Sequence, residues 1–235
     1  MEAIILAGGF GTRLRSVVAD RPKALAEIAG KPFLHFLVEY YQSIGVTKFL
    51  FSVGYLHAQV TEFLKEYFPQ LSYQVVVEDE PLGTGGAIRL CLESATSSDV
   101  LIINGDTFHE LDLEQYLNFH LTNSAACSIA IKPMTNFDRY GSVVIDEFSR
   151  IIKFNEKQHC ASGLINTGVI LANLHVIRKM LQNLPNSFSF EREFLQTQLS
   201  SIPIFGFLSQ GYFIDIGIPE DFLKAQNDFK AISKT

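Results

Sequence analysis

The sequence predicts an α/β fold: a Rossmann-like, mixed and mostly parallel central sheet with flanking helices, carrying a small added antiparallel region. Three observations predict it. Short β-rich runs alternate with longer helical patterns through the first half of the chain, the signature of βαβ units with right-handed crossovers. The strands there are nearly continuous in apolar residues, as in Val100-Leu-Ile-Ile103, which suits a sheet covered on both faces. After Asp112 the rhythm changes to strand upon strand with little helix between, so an antiparallel or mixed region is expected there.

In order, Ala3 to Leu6 reads as a buried strand. Phe33 to Ile44 reads as a helix, with apolar residues at Phe33, Phe36, Leu37, Tyr40 and Tyr41 on one side of a 3.6-residue period. Strand Lys48 to Val53, helix His57 to Tyr67, strand Ser72 to Val77, helix Gly85 to Ser94 and strand Val100 to Ile103 follow. The added region holds strands at Ala126 to Lys132, Ser142 to Asp146, Ile151 to Asn155 and Leu164 to Ala172. Helical stretches at His175 to Leu184 and Phe190 to Leu199 lead to strands Ile202 to Phe207 and Tyr212 to Ile214. Pro219 opens a last helix, where its missing N–H would be unpaired anyway. No linker, repeat or low-complexity run divides residues 1–235, so one domain is expected.

Bulk properties narrow the function. Hydrophobic residues make up 47% of the chain and charged ones 19%, an ordinary globular balance. A formal charge of −6 argues against nucleic-acid binding, which draws on accumulated Lys and Arg. Cys91, Cys127 and Cys160 are scattered and lack CxxC spacing, which speaks against disulfides or zinc and for a reducing cytoplasm. No run approaches the ~20 apolar residues of a membrane span, and Ala3 to Ala7 follows Glu2 rather than a basic segment.

The chemistry starts at Leu6-Ala7-Gly8-Gly9-Phe10-Gly11-Thr12-Arg13-Leu14, directly after a strand. Glycines permit close backbone approach, successive N–H groups cradle phosphate oxygens, and Arg13 adds a fork suited to them. A P-loop would need Lys-Ser/Thr after its last glycine, where Thr12-Arg13 stands, and the third glycine of GxGxxG falls on Leu14. Neither motif fits. Lys23, stiffened by Pro22, is a second cation in the same loop. Pro81-Leu-Gly83-Thr84-Gly85-Gly-Ala87 offers another close approach, with the Thr84 hydroxyl available to a base or ribose. Asp106 ends the fourth strand of the first half, where open α/β sheets bind ligands. Asp215, set between Ile214 and Ile216, is costly to bury unless paired or metal-bound. Two such carboxylates converging would make a Mg²⁺ site completed by substrate phosphates. Glu156, Lys157, Asn166 and Thr167 are weaker signals for sugar hydroxyls.

Together these segments are recognisable. Gly8-Gly-Phe-Gly-Thr-Arg-Leu14 followed by Pro22-Lys23 resembles the signature of the sugar-phosphate nucleotidyltransferases. Gly105-Asp106, Glu156-Lys157, Asn166-Thr-Gly168 and Asp215-Ile-Gly217 keep that family's order across nearly the whole chain. Ala24 departs from it, where a second Pro usually follows the Lys. Within the family, Glu80 to Ile88, Asn104 to Phe108, Phe137 to Gly141 and Tyr212 to Asp221 resemble the D-glycero-D-manno-heptose 1-phosphate guanylyltransferases. The short chain also resembles N-acetylmuramate 1-phosphate uridylyltransferases, and no C-terminal β-helix is expected.

The resemblance implies the nucleotide-diphospho-sugar transferase fold and a cytoplasmic enzyme that condenses a nucleoside triphosphate with a sugar 1-phosphate, most closely GTP with the heptose. Leu6, Ala7, Gly8, Gly9, Gly11, Thr12 and Arg13 would hold the triphosphate. Gly83, Thr84 and Gly85 would face the base, and Asp106 and Asp215 the Mg²⁺. Tyr140, Gly141, Glu156, Lys157, Asn166 and Thr167 would hold the sugar phosphate, with Arg13, Lys23 and Asp106 carrying catalysis. The attacking phosphate is already anionic, since its second pKa is about 6, so no general base is required. Uridylyl or thymidylyl transfer to another sugar 1-phosphate and a silent nucleotide-sugar-binding regulator remain alternatives. An edge strand or the last helix offers a route to a homodimer, with neither nucleic acid nor membrane as partner.

Overall fold

The computed structural model describes residues 1–9, 21–54 and 56–232; Gly11, Thr12 and Arg13 lie outside the described residues. Strand β1 (Glu2–Leu6) leads, past a 3₁₀ turn at Lys23–Leu25, to a hairpin of β2 (Glu27–Ile28) and β3 (Lys31–Pro32). Then α1 (Phe33–Ser43), β4 (Lys48–Val53), α2 (His57–Tyr67), β5 (Tyr73–Val77), α3 (Gly83–Leu92) and β6 (Asp99–Asn104) alternate. Next come β7 (Thr107–His109), α4 (Leu113–Thr122), β8 (Cys127–Phe137), β9 (Ser142–Ile145), β10 (Ile151–Asn155) and β11 (Cys160–Asn173). The remainder is α5 (Leu174–Leu181), a π-helical segment Phe190–Leu195, β12 (Ile204–Leu208), β13 (Phe213–Asp215) and α6 (Pro219–Ile232).

Nine of the described strands form the central sheet. Its centre is parallel, in the order β6-β1-β4-β5. Beyond β6, the long β11 runs antiparallel and bonds β8, which takes β12 on its far side; the β9–β10 hairpin sits on the first half of β11. The antiparallel region thus continues the main sheet instead of standing apart. Two short antiparallel pairs, β2–β3 and β7–β13, are separate.

Alternation of side chains explains the two-sided core. Ala3 and Ile5 of β1, Phe49 and Phe51 of β4 and Leu101 and Ile103 of β6 face one side, packed with residues of α1, α2, α4 and α6. Ile4, Leu50, Val100 and Ile102 face the other, with α3, α5 and the π-helical segment. α6 does more than cover the sheet. Its Gln226 side chain accepts from Ala29 N at 2.8 Å and donates to Glu27 O at 2.6 Å, clasping the β2–β3 hairpin.

Helix α4 fills the stretch between Asp112 and Ala126, to which the sequence reading assigned no element. Asp112 caps it, its carboxylate accepting from Gln115 N at 2.9 Å. An N-cap Asp with Gln three residues on is a helix-start signal, present in the sequence but outweighed by the strand-rich run that follows. β7 was likewise not foreseen, being only three residues long.

Candidate functional site

The C-terminal ends of β1, β4, β5 and β6 open onto a cleft of about 1090 Å³, at the edge where open α/β sheets bind ligands. Its middle is charged. Asp106 follows β6 directly, and its neighbour Gly105 tolerates no side chain, since a Cβ there would lie 2.6 Å from Leu6 O. The β7–β13 ladder pairs Asp215 with Thr107, which brings Asp215 beside Asp106 from the far end of the chain. Lys23 lies between them, its Nζ 2.6 Å from Asp106 Oδ2 and 3.7 Å from Asp215 Oδ1. Buried Ala24 and Leu25 anchor the turn that carries it. Burial, and then the neighbouring Asp106 charge, push the Asp215 carboxyl above its ordinary pKa, against Lys23 and the Gly217 N–H at 2.7 Å. Among the described residues, no three or more His, Cys, Asp and Glu side chains gather to hold a metal by themselves.

One end of the cleft is lined by Leu6, Ala7, Gly8, Gly9, Gly54, Glu78, Gly83 and Thr84. Gly8 crosses so close to Gly54 and Glu78 that a Cβ would lie 3.2 and 2.9 Å from them. The glycines of α3 serve partly a different purpose from the one read in the sequence. A Cβ on Gly83 would lie 2.6 Å from Phe188 O, one on Gly85 2.1 Å from the Phe188 ring, and one on Gly86 2.3 Å from Asn186 O. They let residues 186–190 lie flat on the helix, and Thr84 Oγ1 accepts from Phe190 N at 2.9 Å. Gly83 and Thr84 still border the cleft, whereas Gly85 is buried away from it.

The other end is built on a bulge. Register between β11 and β8 jumps from Asn166↔Ile131 to Ile170↔Ile129, which re-aims the intervening side chains. Gly168 makes this possible at φ +77°, with Asn104 Nδ2 2.4 Å from where a Cβ would stand. Asn166 donates to Glu191 Oε2 at 2.8 Å and accepts from Gly168 N at 2.9 Å. Thr167 is buried, its hydroxyl donating to Ala130 O at 2.8 Å and lying 2.9 Å from His109 Nδ1, so it holds the bulge from below. Tyr140 and Gly141 border this end, and burial, followed by Asp215, pushes the Tyr140 hydroxyl up to about 12. Lys157 borders it too, but exposed Glu156 does not. Gly168→Ala is expected to cost roughly 1–3 kcal/mol, the range for enforced backbone strain; an unchanged melting temperature would refute the bulge argument.

Glu78, Arg139 and Glu191 are among the wall residues that sequence reasoning missed. Glu78 follows β5, and the strand-end rule that found Asp106 reaches it too. Glu191 has no local signal, because the contact of its π-helical segment with the α3 glycines is what places it. Burial raises its pKa, opposed by the Asn166 hydrogen bond.

Residues 2–231 match the family model described as Nucleotidyl transferase. The chain is 42% identical, over 98% of its length and 99% of the relative's, to D-glycero-alpha-D-manno-heptose 1-phosphate guanylyltransferase of Aneurinibacillus thermoaerophilus. It is 40% identical, over 94% and 97%, to the protein of the same name from Campylobacter jejuni. Among solved structures, HddC from Yersinia pseudotuberculosis complexed with GMP-PN superposes with a TM-score of 0.87 at 36% identity, covering 97% of this chain and 99% of that one.

Proposed function

Because the chain belongs to the nucleotidyl transferase family, we propose that it joins GTP to D-glycero-D-manno-heptose 1-phosphate in the cytoplasm, forming GDP-heptose and pyrophosphate. The observation that carries the reaction type is the Lys23–Asp106–Asp215 cluster midway along the cleft. It stands between a glycine-lined end suited to a nucleotide and a hydrogen-bonding wall suited to a sugar. The relatives' names support the choice of base and sugar.

The transfer forms a bond from the sugar-phosphate oxygen to the α-phosphorus and breaks the α–β phosphoanhydride bond, with pyrophosphate leaving. The attacking oxygen is already ionised, so the site has no proton to remove. Its tasks are in-line placement and charge neutralisation. The Gly8–Gly9 backbone approaches the triphosphate, and the Lys23 ammonium meets the charge that develops at the α-phosphate. Asp106 and Asp215 offer hard oxygen donors around one cation position, a set that fits Mg²⁺ once phosphates complete it. When bound, the metal neutralises phosphate charge as a Lewis acid.

Guanine is favoured over uracil or thymine by the carboxylate of Glu78. It accepts from Ser52 Oγ at 2.7 Å and lies 3.3 Å from Leu82 N, which leaves some of its roughly four acceptor positions unused. Guanine presents N1–H and N2–H₂ as adjacent donors; uracil and thymine present one N–H between two carbonyls. Glu78→Gln is expected to lower kcat/KM for GTP by about tenfold or more while leaving UTP nearly unchanged. An equal loss for both would separate Glu78 from base choice.

A matrix of four nucleoside triphosphates against several sugar 1-phosphates, read by pyrophosphate release with Mg²⁺, tests the whole reading. GTP with the heptose 1-phosphate should give the highest kcat/KM. UTP with N-acetylmuramate 1-phosphate in first place would replace it, and no release from any pair would leave a silent relative. Among the described residues, no helix is long and apolar enough to cross a membrane.

A further inference from the structure

Arg139 stands where the middle of the cleft meets the sugar wall. It borders the cleft, its guanidinium carbon lies 5.4 Å from the centre of the Tyr140 ring, and its charge is felt by Asp215. A single nitrogen, Nη2, makes its hydrogen bonds, one to the Asp221 carboxylate and one to the Tyr140 hydroxyl at 3.4 Å. Asp221 belongs to the first turn of α6, just beyond the Asp215-Ile-Gly217 turn. Nε and Nη1 meet no acceptor among the described residues, yet an arginine fork is matched to phosphate oxygens. Its only described ion pair is with Asp221, so Arg139 is held clear of direct pairing with Asp106 and Asp215.

We propose that Arg139 takes the phosphate of the sugar 1-phosphate through these unengaged donors, and that Asp221 is the positioning residue that orients the guanidinium. The inference rests on the reaction proposed above for the identity of the two substrates. Lys23 already offsets the charge of Asp106 and Asp215 in the middle of the cleft, and Arg139 adds a second positive charge on the sugar side of that pair. The triphosphate is the less suitable partner. Gly8, Gly9 and Gly83 lie at the other end of the cleft, whereas Arg139 is continuous with Tyr140 and Gly141.

Steady-state kinetics of Arg139→Gln, Arg139→Lys and Asp221→Asn, with both substrates varied, test this. Arg139→Gln is expected to raise KM for the sugar 1-phosphate by about tenfold to a hundredfold, the worth of charge-assisted hydrogen bonds, with KM for GTP within about twofold. Arg139→Lys should recover part of the loss, because charge survives without the fork. Asp221→Asn should shift the same KM by less than Arg139→Gln does. A purely structural role would move both KM values and the melting temperature together. An unchanged sugar-phosphate KM in folded Arg139→Gln, or a larger change in KM for GTP, overturns the inference. Wild-type turnover judges the proposed reaction separately. Whichever sugar 1-phosphate the wild type uses then serves for the variants.

Discussion

An Asp215→Asn protein is expected to turn over at least about tenfold more slowly than the parent chain, a loss of ~1.4 kcal/mol or more in transition-state stabilisation, and yet to melt higher. Both effects come from the same carboxylate. As a donor to a cation between the substrates it is needed charged. In the folded chain, burial and the Asp106 charge raise its pKa. A carboxyl with a raised folded pKa contributes most to stability below the unfolded carboxylate range, and that contribution is lost as pH rises through the folded value. At neutral pH the charge is therefore a cost that Asn removes. The amide keeps the geometry, because its oxygen still accepts the Gly217 N–H now given to Asp215 at 2.7 Å. In chelator, Tm should rise at neutral pH. The gain should shrink as pH falls and the wild-type carboxyl takes up its proton. Near-normal turnover would remove Asp215 from the metal site; a lower Tm would refute the electrostatic argument.

Lys23→Ala is expected to act in the opposite sense on stability and more strongly on rate. Removing a cation aimed at developing phosphate charge typically costs about a hundredfold or more in kcat. It also removes the ammonium 2.6 Å from Asp106 and 3.7 Å from Asp215, leaving two carboxylates facing each other. The variant should melt below wild type at neutral pH and close that gap on acidification, as one carboxyl protonates. Thermal melts between about pH 5 and pH 8, set beside pyrophosphate release, check both parts. A rate within about threefold of wild type would exclude Lys23 from the chemistry.

Much of this site was legible because its parts lie where local rules apply. Strand ends after β1 and β6 marked Gly8 and Asp106. The apolar neighbours of Asp215 marked a carboxylate that needed a reason to be there. Gly168 was visible only as part of a motif; that it permits a bulge beneath Asn166 depends on the pairing of two distant strands. The α3 glycines show the limit most clearly. Their spacing reads as a ligand loop, but Phe188, about a hundred residues later, occupies much of the space they leave. Glu191 and Arg139 depend on contacts 25 and 82 residues away in the chain, with Asn166 and Asp221, and no local pattern announces such pairings. Helix α4 was missed for a simpler reason, its cap being read as the close of the parallel region.

The clasp formed by α6 has a consequence for the order in which the protein becomes competent. During synthesis the glycine turn, Lys23, both aspartates and the bulged strand all leave the ribosome before Asp221 and Gln226. Until those two arrive, the hairpin after Lys23 lacks its tie to Gln226 and Arg139 lacks its carboxylate. A chain whose parallel strands have paired can thus hold Lys23 in place while Arg139 still waits for the carboxylate that orients it.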